Sequence, residues 1–210
     1  MKKLFFFLIL CNFILFSQEK KIIQNNDILI EYSYSPVILI NKKNIGDFNY
    51  SFYNEKDNYF KLELFNKLNS EKIISIETEK RFYLELIFDS KKNRIHIKNL
   101  LGEFKITSFN SFFDNFLEIG DFRIFNFYSS YKIISLPKNN IFIYVNEGKI
   151  NVLKNKESLI LITGETCETK NNIMTISDIS DFETGRIILL TKFKAGYLKK
   201  ELNDIEKIFY

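Results

Sequence analysis

Histidine and cysteine are rare in this sequence, and both are residue types that act in catalysis and metal binding. His96 is the single histidine. It lies between Ile95 and Ile97 in an alternating run, which predicts that its side chain is on the polar face of a strand. A catalytic or metal-binding histidine needs partners such as cysteine, a second histidine or a placed carboxylate. None occurs at a recognisable spacing, so we expect His96 to be a solvent-facing strand residue.

Cys167 follows a Gly164-Glu165-Thr166 turn, and two interpretations of its thiol are open. It is either a reactive thiol, including one that forms an intermolecular disulfide, or an unreactive thiol that is buried or half-buried. The sequence favours the second interpretation, because no histidine lies near enough along the chain to act as a base.

Carboxylates are numerous, but their pattern is that of strand exteriors. Alternation places most of them on solvent faces, including Glu63, Glu85, Glu103 and Glu147. Glycoside hydrolysis needs two carboxylates that bracket one bond, and no P-loop, Rossmann glycine pattern, nucleophile elbow or EF-hand loop is present. We therefore expect a protein that is not an enzyme and has no metal or cofactor. A hydrolase with an aromatic cleft is the less favoured alternative.

The first residues resemble a secretory signal peptide. In Met1–Ser17, two lysines precede the apolar run Leu4–Phe16, which is short for a membrane span. Cleavage after Ser17 would leave a periplasmic or secreted chain, whereas an uncleaved anchor or lipidation at Cys11 would hold the protein at a membrane. No later run predicts a membrane span in the mature chain.

The charge of the chain argues against nucleic acid as a partner. The formal net charge of +4 includes Lys2 and Lys3, so the chain after Ser17 is near +2. Lysines and glutamates are interspersed and form no basic stripe. Because nucleic acid is not expected, the predicted partner is an unidentified protein or another component of the cell envelope.

Alternation with a period of two dominates the sequence and predicts an all-β domain over residues 18–178. Clear examples are Asp47–Tyr53 and Tyr59–Phe65, in which apolar and polar residues alternate. Ile73–Thr78 and Arg81–Phe88 are predicted to form a hairpin, and Gln18–Asn26 a flexible leader. Many short strands at regular spacing predict a mainly antiparallel sandwich, a barrel or a short β-solenoid.

Glycines mark three predicted turns within this domain. In Ile141–Glu165, Gly148 is expected to turn a hairpin between Ile141–Asn146 and Lys149–Leu153, because such a turn needs positive φ. Gly164 and Gly102 are assigned to turns as well.

Two segments depart from the strand rhythm. Ser108–Gly120 has apolar residues at helical offsets, and we expect a long aromatic-rich loop there, with a short helix as the alternative. Within the C-terminal segment 179–210, a stripe of apolar residues predicts a helix over Ala195–Phe209. A capping-box pattern at Ser180–Glu183 allows an earlier start near Asp181, and Gly185–Phe193 is open as a final strand. The stripe consists of Leu198, Leu202, Ile205 and Phe209.

Tyrosines are frequent enough to suggest a binding face, since tyrosine combines apolar area with a polar tip. The alternative is that half of them lie in the core. The tyrosines concerned are Tyr32, Tyr34, Tyr50, Tyr53, Tyr128 and Tyr131.

The order of three strand motifs resembles FecR-type periplasmic domains over about Tyr59–Glu165. The motifs are Leu101-Gly102-Glu103-Phe104, Phe122-Arg123-Ile124, and the run from Ile143 to Val152 followed by Gly164-Glu165. The resemblance implies a periplasmic all-β domain that acts by binding. The chain departs from that pattern because Tyr131–Asn140 contains no Gly-Thr, and because the N-terminal sequence resembles an export signal rather than an anti-sigma segment. Control of a sigma factor is therefore not expected.

Together these observations predict an exported, non-catalytic binding or scaffold protein of the cell envelope. A surface-displayed adhesin or antigen is the alternative.

Overall fold

A computed structural model describes residues 20–24, 28–33, 38–44, 47–89, 94–109, 114–119, 121–137, 140–154, 157–170, 173–194 and 196. Met1–Ser17, predicted as a signal peptide, lies outside these residues. The helix predicted over Ala195–Phe209 also lies outside them, apart from Gly196, which is in a turn.

The described residues form fourteen strands and one helix, so the prediction of an all-β protein with one helix is confirmed. The elements are β1 (Lys20–Gln24), β2 (Ile28–Ser33), β3 (Ile38–Asn44), β4 (Asp47–Asn54), β5 (Phe60–Asn66), β6 (Lys72–Thr78), β7 (Phe82–Asp89), β8 (Arg94–Ser108), β9 (Asp114–Ile119), β10 (Phe122–Leu136), β11 (Asn140–Lys154), β12 (Glu157–Ile162), β13 (Thr166–Lys170), β14 (Ile173–Ser177) and α1 (Ile179–Lys194).

Three long strands, β8, β10 and β11, belong to two sheets at once. Sheet A has the strand order β3-β4-β7-β8-β9-β10-β11-β12 and uses the first halves of β8 and β10 and the second half of β11. Sheet B has the order β1-β2-β5-β6-β8-β10-β11-β13-β14 and uses the other halves. Apart from β8 with β9, all of these pairs are antiparallel, and the long strands join sheets A and B into one continuous sheet of fourteen strands, which is not a solenoid.

The long strands pass from one sheet to the other at local irregularities. In β8 the change occurs around Gly102, where φ is 135°. In β10 the register shifts between Phe127 and Ser130, with Tyr128 at a φ of 43°. Opposite this shift lies Gly148 of β11, with a φ of 82°. Bulges and bends of this kind are how strands turn the corner between packed sheets.

The hairpin predicted around Glu147-Gly148 is therefore wrong. Asn140–Lys154 is one continuous strand, and both of its halves pair with β10. The positive φ that a hairpin turn would require is present at Gly148, but it serves a bend inside a strand. Gly102 likewise lies within β8, whereas Gly164 follows β12 in a turn and has a φ of 88°.

The predicted hairpin of Ile73–Thr78 with Arg81–Phe88 is also wrong. β6 pairs with β5 and β8 in sheet B, whereas β7 pairs with β4 and β8 in sheet A. The inner faces of β6 and β7 line the same core, in which the ring of Phe82 of β7 lies 4.6 Å, between centroids, from that of Phe60 of β5, the strand beside β6. Alternation fixes which face is apolar but does not decide which strand lies alongside.

Two further segments differ from expectation. Asp114–Ile119, within the predicted loop, is β9, which runs parallel to the start of β8 and antiparallel to β10. Lys20–Gln24, within the predicted flexible leader, is β1 and pairs with β2. In both cases backbone pairing with an existing sheet edge stabilises a segment whose own pattern is weak.

The main core lies between the inner faces of the two sheets. Phe52 of sheet A contacts Tyr32 and Phe60 of sheet B, at centroid distances of 5.5 and 5.7 Å. Phe82 in turn meets Phe104 at 5.8 Å, edge to face. This ladder of rings joins the two sheets, and aromatic pairs of this geometry stabilise beyond their buried area by about 0.5–1.5 kcal/mol each.

A second apolar cluster lies on the outer face of sheet B, where α1 packs. Phe182, Leu189 and Phe193 of α1 are buried there against Phe142 and Ile134. Because the helix covers this face, β10 and β11 are apolar on both sides at this point, which explains the unbroken run Ile141-Phe142-Ile143.

Gly185 allows α1 to approach the sheet closely. A Cβ at this position would lie 2.5 Å from Cδ2 of Phe142, far inside van der Waals contact. The glycine costs helix propensity, but it lets the ring pack directly against the helix backbone.

The hydrogen bond that caps the N-terminus of α1 differs from the predicted one. A carboxylate oxygen of Asp181 accepts a hydrogen bond from the backbone N–H of Asp178, at 3.1 Å, so the capping interaction lies two residues before the predicted Ser180–Glu183 box. The alternative of a strand over Gly185–Phe193 is wrong, because these residues are helical. Among the described residues, no helix combines the length and apolar character that crossing a membrane requires.

Candidate functional site

The sequence predicts a solvent-facing His96, whereas the structure places its side chain next to a carboxylate and largely covers it. Its Nδ1 lies 3.7 Å from Oε2 of Glu118 on the neighbouring β9, and both side chains are about one-fifth exposed. Arg123 approaches the same carboxylate, with Nε 3.8 Å from Oε1. In the part of the chain that the structure describes, no group of three or more histidine, cysteine, aspartate and glutamate residues is arranged to hold a metal.

Cys167 is fully buried in the main core, on the inner face of β13. Burial raises the pKa of its thiol from an ordinary 9.0 to about 11. Its Sγ is 3.7 Å from the carbonyl oxygen of Glu168, to which it donates weakly. Both the lack of access and the raised pKa oppose thiolate formation, so the structure favours the unreactive interpretation.

Two of the carboxylates expected on solvent faces are buried. Glu85 is 6% exposed and accepts a hydrogen bond of 2.7 Å from the hydroxyl of Tyr83, and Glu63 is 7% exposed. Burial alone would raise the pKa of Glu63, but hydrogen bonds from Lys72 and Lys61 outweigh it and lower the pKa. These glutamates do lie on outer faces, and the long side chains of their neighbours cover them.

The tyrosines do not form a common binding face. Tyr32, Tyr50, Tyr53 and Tyr131 are all buried, whereas Tyr128 is exposed at the bend of β10. Tyr34 lies outside the described residues.

The sequence did not indicate a concave site that the described residues form beside α1, a cleft of about 480 Å³. Its floor is the outer face of sheet B across β6, β8 and β10, and Arg186 of α1 borders it on one side. The residues that line this cleft are Tyr59, Glu77, Thr78, Glu79, Lys80, Glu103, Phe104, Lys105, Lys132 and Arg186.

An ion pair between sheet and helix holds the wall of the cleft in place. Arg186 of α1 donates from Nε to both carboxylate oxygens of Glu103, at 3.0 and 2.9 Å, and from Nη2 to one of them at 2.5 Å. Its Nη1 donates to Glu183 at 2.8 and 2.6 Å. These bonds, foremost those to Glu103, raise the pKa of Arg186. Bidentate geometry of this kind gives direction as well as attraction.

A row of charged side chains runs across the floor from strand to strand. The backbone register places Lys61, Glu77, Lys105 and Lys132 opposite one another in turn. Lys61 is 3.3 Å from Glu77 and 3.1 Å from Glu63, and hydrogen bonds to these glutamates outweigh burial and raise the pKa of Lys61. At the β5 end, burial raises the pKa of Tyr59, and Glu77 adds to the rise.

The row ends in two adjacent like charges. Lys105 and Lys132 face each other across β8 and β10. Unlike Lys61 and Arg186, neither forms an ion pair or side-chain hydrogen bond with any residue that the structure describes. The lining of the cleft thus holds four cationic and three acidic side chains, and two of the cations, Lys105 and Lys132, are side by side. The spacing of Lys105 and Lys132, 27 residues apart in the chain, contains no signal of this pairing, which depends on the β8–β10 register alone.

Comparisons with known proteins are weak. No protein-family model matches the chain, and a search of curated proteins finds no match. Similar solved structures include two crystal structures, at 2.50 and 1.65 Å resolution, of a protein from Parabacteroides distasonis ATCC 8503 that has been proposed to be an anti-sigma factor. Their TM-scores are 0.38 and 0.39 and their identities 9% and 10%. Each match covers 77% of this chain and 56% of the other. A likeness this low carries no argument about function.

Proposed function

We propose that this protein is an exported, non-catalytic binding protein of the cell envelope, and that the cleft beside α1 is its binding surface. The observation that carries this proposal is the charged concavity between α1 and sheet B, where Arg186 pairs with Glu103. A cleft of about 480 Å³ has the size of a small-ligand site or of a recess for part of a peptide.

The charged groups around the cleft are used mainly to fix its shape. Arg186 joins the helix wall to Glu103 on the floor, and Lys61 holds Glu77 at the opposite side. A binding surface benefits from such preorganisation, because less side-chain freedom is lost when a ligand arrives. Recognition by a fixed surface is the role that best suits this arrangement.

The export part of the proposal rests on the sequence of Met1–Ser17 and its resemblance to a signal peptide. It is tested by fractionating cells that produce the full chain and by sequencing the N-terminus of the product. We expect a periplasmic or secreted chain that begins at Gln18. A full-length product in the cytoplasm would contradict export.

Protease treatment of intact cells separates the proposal from the alternative of a surface-displayed adhesin. We expect the protein to survive in intact cells and to be degraded once the outer barrier is opened. Degradation on intact cells would support display at the surface instead.

The binding surface is tested by site-specific photo-cross-linking in living cells. A photoreactive phenylalanine derivative replaces Glu79, an exposed residue that lines the cleft. The matched control replaces Leu68, which is 89% exposed in the turn between β5 and β6 and does not line the cleft. We expect a discrete adduct from position 79 and none from position 68. Equal labelling at both positions, or none at either, would refute a binding role for the cleft.

A further inference from the structure

We propose that the cleft binds an acidic peptide segment of a partner protein, and that Lys105 and Lys132 are the residues that hold its carboxylates. This inference rests on the proposed function, since it specifies the ligand of the same cleft.

The first argument is the arrangement of the two lysines. They are direct cross-strand partners on the outer face of sheet B. Residues placed in this way have Cβ atoms about 4.5–5.5 Å apart, and like charges directly opposite destabilise a sheet. On its other side Lys105 lies opposite Glu77 of β6, but neither lysine forms an ion pair with a residue that the structure describes, so a carboxylate placed between the two ammonium groups would relieve their repulsion.

The second argument is the contrast with the charges around them. Arg186 is held by Glu103 and Glu183, and Lys61 by Glu63 and Glu77. The surface thus uses carboxylates as the partners of its cations at neighbouring positions. Among the described residues of the cleft, Lys105 and Lys132 stand out as adjacent cations that lack such a partner.

The third argument concerns the class of anion. The floor extends over β6, β8 and β10, and Tyr59 flanks it just before β5, so about three strand spacings or roughly 15 Å separate its ends. This length suits several residues of an extended peptide better than a single small ion. The lining also contains Glu79, an exposed residue whose carboxylate is able to accept a hydrogen bond from a peptide N–H.

The side chain of Tyr59 offers an additional contact at this end of the cleft. It is 39% exposed and adjoins Glu77. An aromatic ring beside paired charges provides apolar area for the stem of a glutamate or for a neighbouring aliphatic residue of the peptide.

The test is a titration of the purified exported chain with a fluorescent decapeptide rich in glutamate, followed by fluorescence anisotropy. A lysine-rich decapeptide with the same label serves as the ligand control. We expect saturable binding of the acidic peptide, weakening as salt rises because the attraction is between charges, and no saturable binding of the basic peptide.

The double variant Lys105→Gln/Lys132→Gln is expected to lose at least about tenfold in affinity, as removal of charged hydrogen bonds implies. The matched control is Lys67→Gln/Lys149→Gln, which changes the net charge equally at two exposed lysines outside the cleft. The control is expected to bind as the wild type does. Equal losses in both double variants would overturn the proposal, because the effect would then be one of net charge.

Competition between inorganic phosphate and the acidic peptide is the remaining measurement. We expect phosphate to compete only as far as an equal rise in ionic strength does with chloride. If phosphate displaces the peptide at concentrations where chloride does not, or if the acidic peptide fails to bind, the assignment of an acidic peptide is wrong.

Thermal melting of the double variant provides a check on folding. Because the substitutions remove a repulsion, we expect a melting temperature no lower than that of the wild type, so lost binding is not lost structure. If the acidic peptide does not bind but position 79 still gives an adduct in cells, only the ligand class is refuted. If both fail, the proposed function is refuted with it.

Discussion

At the scale of single residues, burial rather than residue type decides what the reactive groups are able to do. Cys167 and His96 were the two candidates for chemistry in the sequence. Cys167 lies fully in the core, and about four-fifths of the His96 side chain is covered beside Glu118. The residues with the strongest claim to function are instead two lysines, a residue type that is common throughout the chain.

The thiol of Cys167 makes the stability of the protein depend on pH. Its pKa in the folded state, about 11, lies above its ordinary value of 9.0. The folded state therefore retains the proton more strongly, and the contribution to stability is complete below about pH 9 and is lost as the pH rises through 11. We expect this loss to amount to about 2 kcal/mol, measured as the urea-unfolding free energy at pH 8 and pH 11.

Cys167→Ala provides the comparison. Its unfolding free energy should be lower at pH 8, by about 1 kcal/mol for the lost side chain, and should fall less steeply toward pH 11, since other groups contribute equally in both proteins. Identical slopes in the two proteins would contradict this account.

A glycine at the bend of β11 is expected to be more sensitive than a glycine in a turn. Gly148 has a φ of 82°, and a Cβ there would overlap the carbonyl oxygen of Tyr128. Gly164 has a similar φ of 88° but open space around it. Gly164→Ala should cost only the backbone strain, about 1–2 kcal/mol, whereas Gly148→Ala should cost an additional ~1–3 kcal/mol for the overlap.

Chemical denaturation of the two glycine variants measures this difference directly. If they lose the same stability, the close approach of β10 to Gly148 is not important, and positive φ alone explains the glycine.

At the scale of secondary-structure elements, partners outside the element decide where strands and the helix lie. β6 and β7 are neighbours in the chain with good alternation, yet they enter different sheets. β9 and β1 have weaker patterns but complete the sheets by pairing with longer strands. α1 is placed by Phe182, Leu189 and Phe193 at helical spacing, and its contact with sheet B creates the wall of the cleft.

The contact of Gly185 with Phe142 predicts that Gly185→Ala destabilises the protein, which is the opposite of the usual effect of Gly→Ala in a helix. In an exposed helix, Gly→Ala stabilises by about 1 kcal/mol. At Gly185 the added methyl group meets the Phe142 ring, 2.5 Å away, so Gly185→Ala should destabilise by about 1–3 kcal/mol.

A double-mutant cycle isolates that contact. In the background of Phe142→Ala, where the ring is absent, the same Gly185→Ala change should become stabilising by roughly 0.5–1 kcal/mol. The measurement is the unfolding free energy of all four proteins. Additive effects would show that Gly185 is required for another reason.

At the scale of the whole molecule, the sharing of β8, β10 and β11 ties the two sheets into one unit. Each of these strands has one half in sheet A and the other half in sheet B. The main core also draws residues from both sheets without interruption. Neither sheet is able to unfold without exposing the inner face of the other.

We therefore expect a single cooperative unfolding transition. Far-UV circular dichroism, which reports the strands, and tyrosine fluorescence, which reports packing, should give the same midpoint in urea. Tyrosine is the suitable probe because the chain contains no tryptophan. Two separated transitions would show that sheets A and B fold independently.

The sequence by itself determined the class of fold and the orientation of most strand faces. Alternating runs such as Tyr59–Phe65 specify which side chains turn inward, because the side-chain period of a strand is two whatever its partners are. The sequence allowed α1 only as an earlier start near Asp181, and the helix that it favoured, over Ala195–Phe209, lies beyond the described residues apart from Gly196. The resemblance to FecR-type domains depends largely on alternation around Glu147-Gly148, and that segment proved to be a bent strand.

Only the tertiary structure decided which strands are neighbours, and the position of the cleft follows from that pairing. Alternation contains no information on pairing, so the opposition of Lys105 and Lys132 and the contact of Arg186 with Glu103 were invisible in the sequence. The burial of Cys167 and Glu85 was likewise undecided, because coverage of a face depends on elements far away in the chain. The physical reason is that a strand's own residues determine its faces, whereas its edges bond through backbone groups that are the same in every sequence.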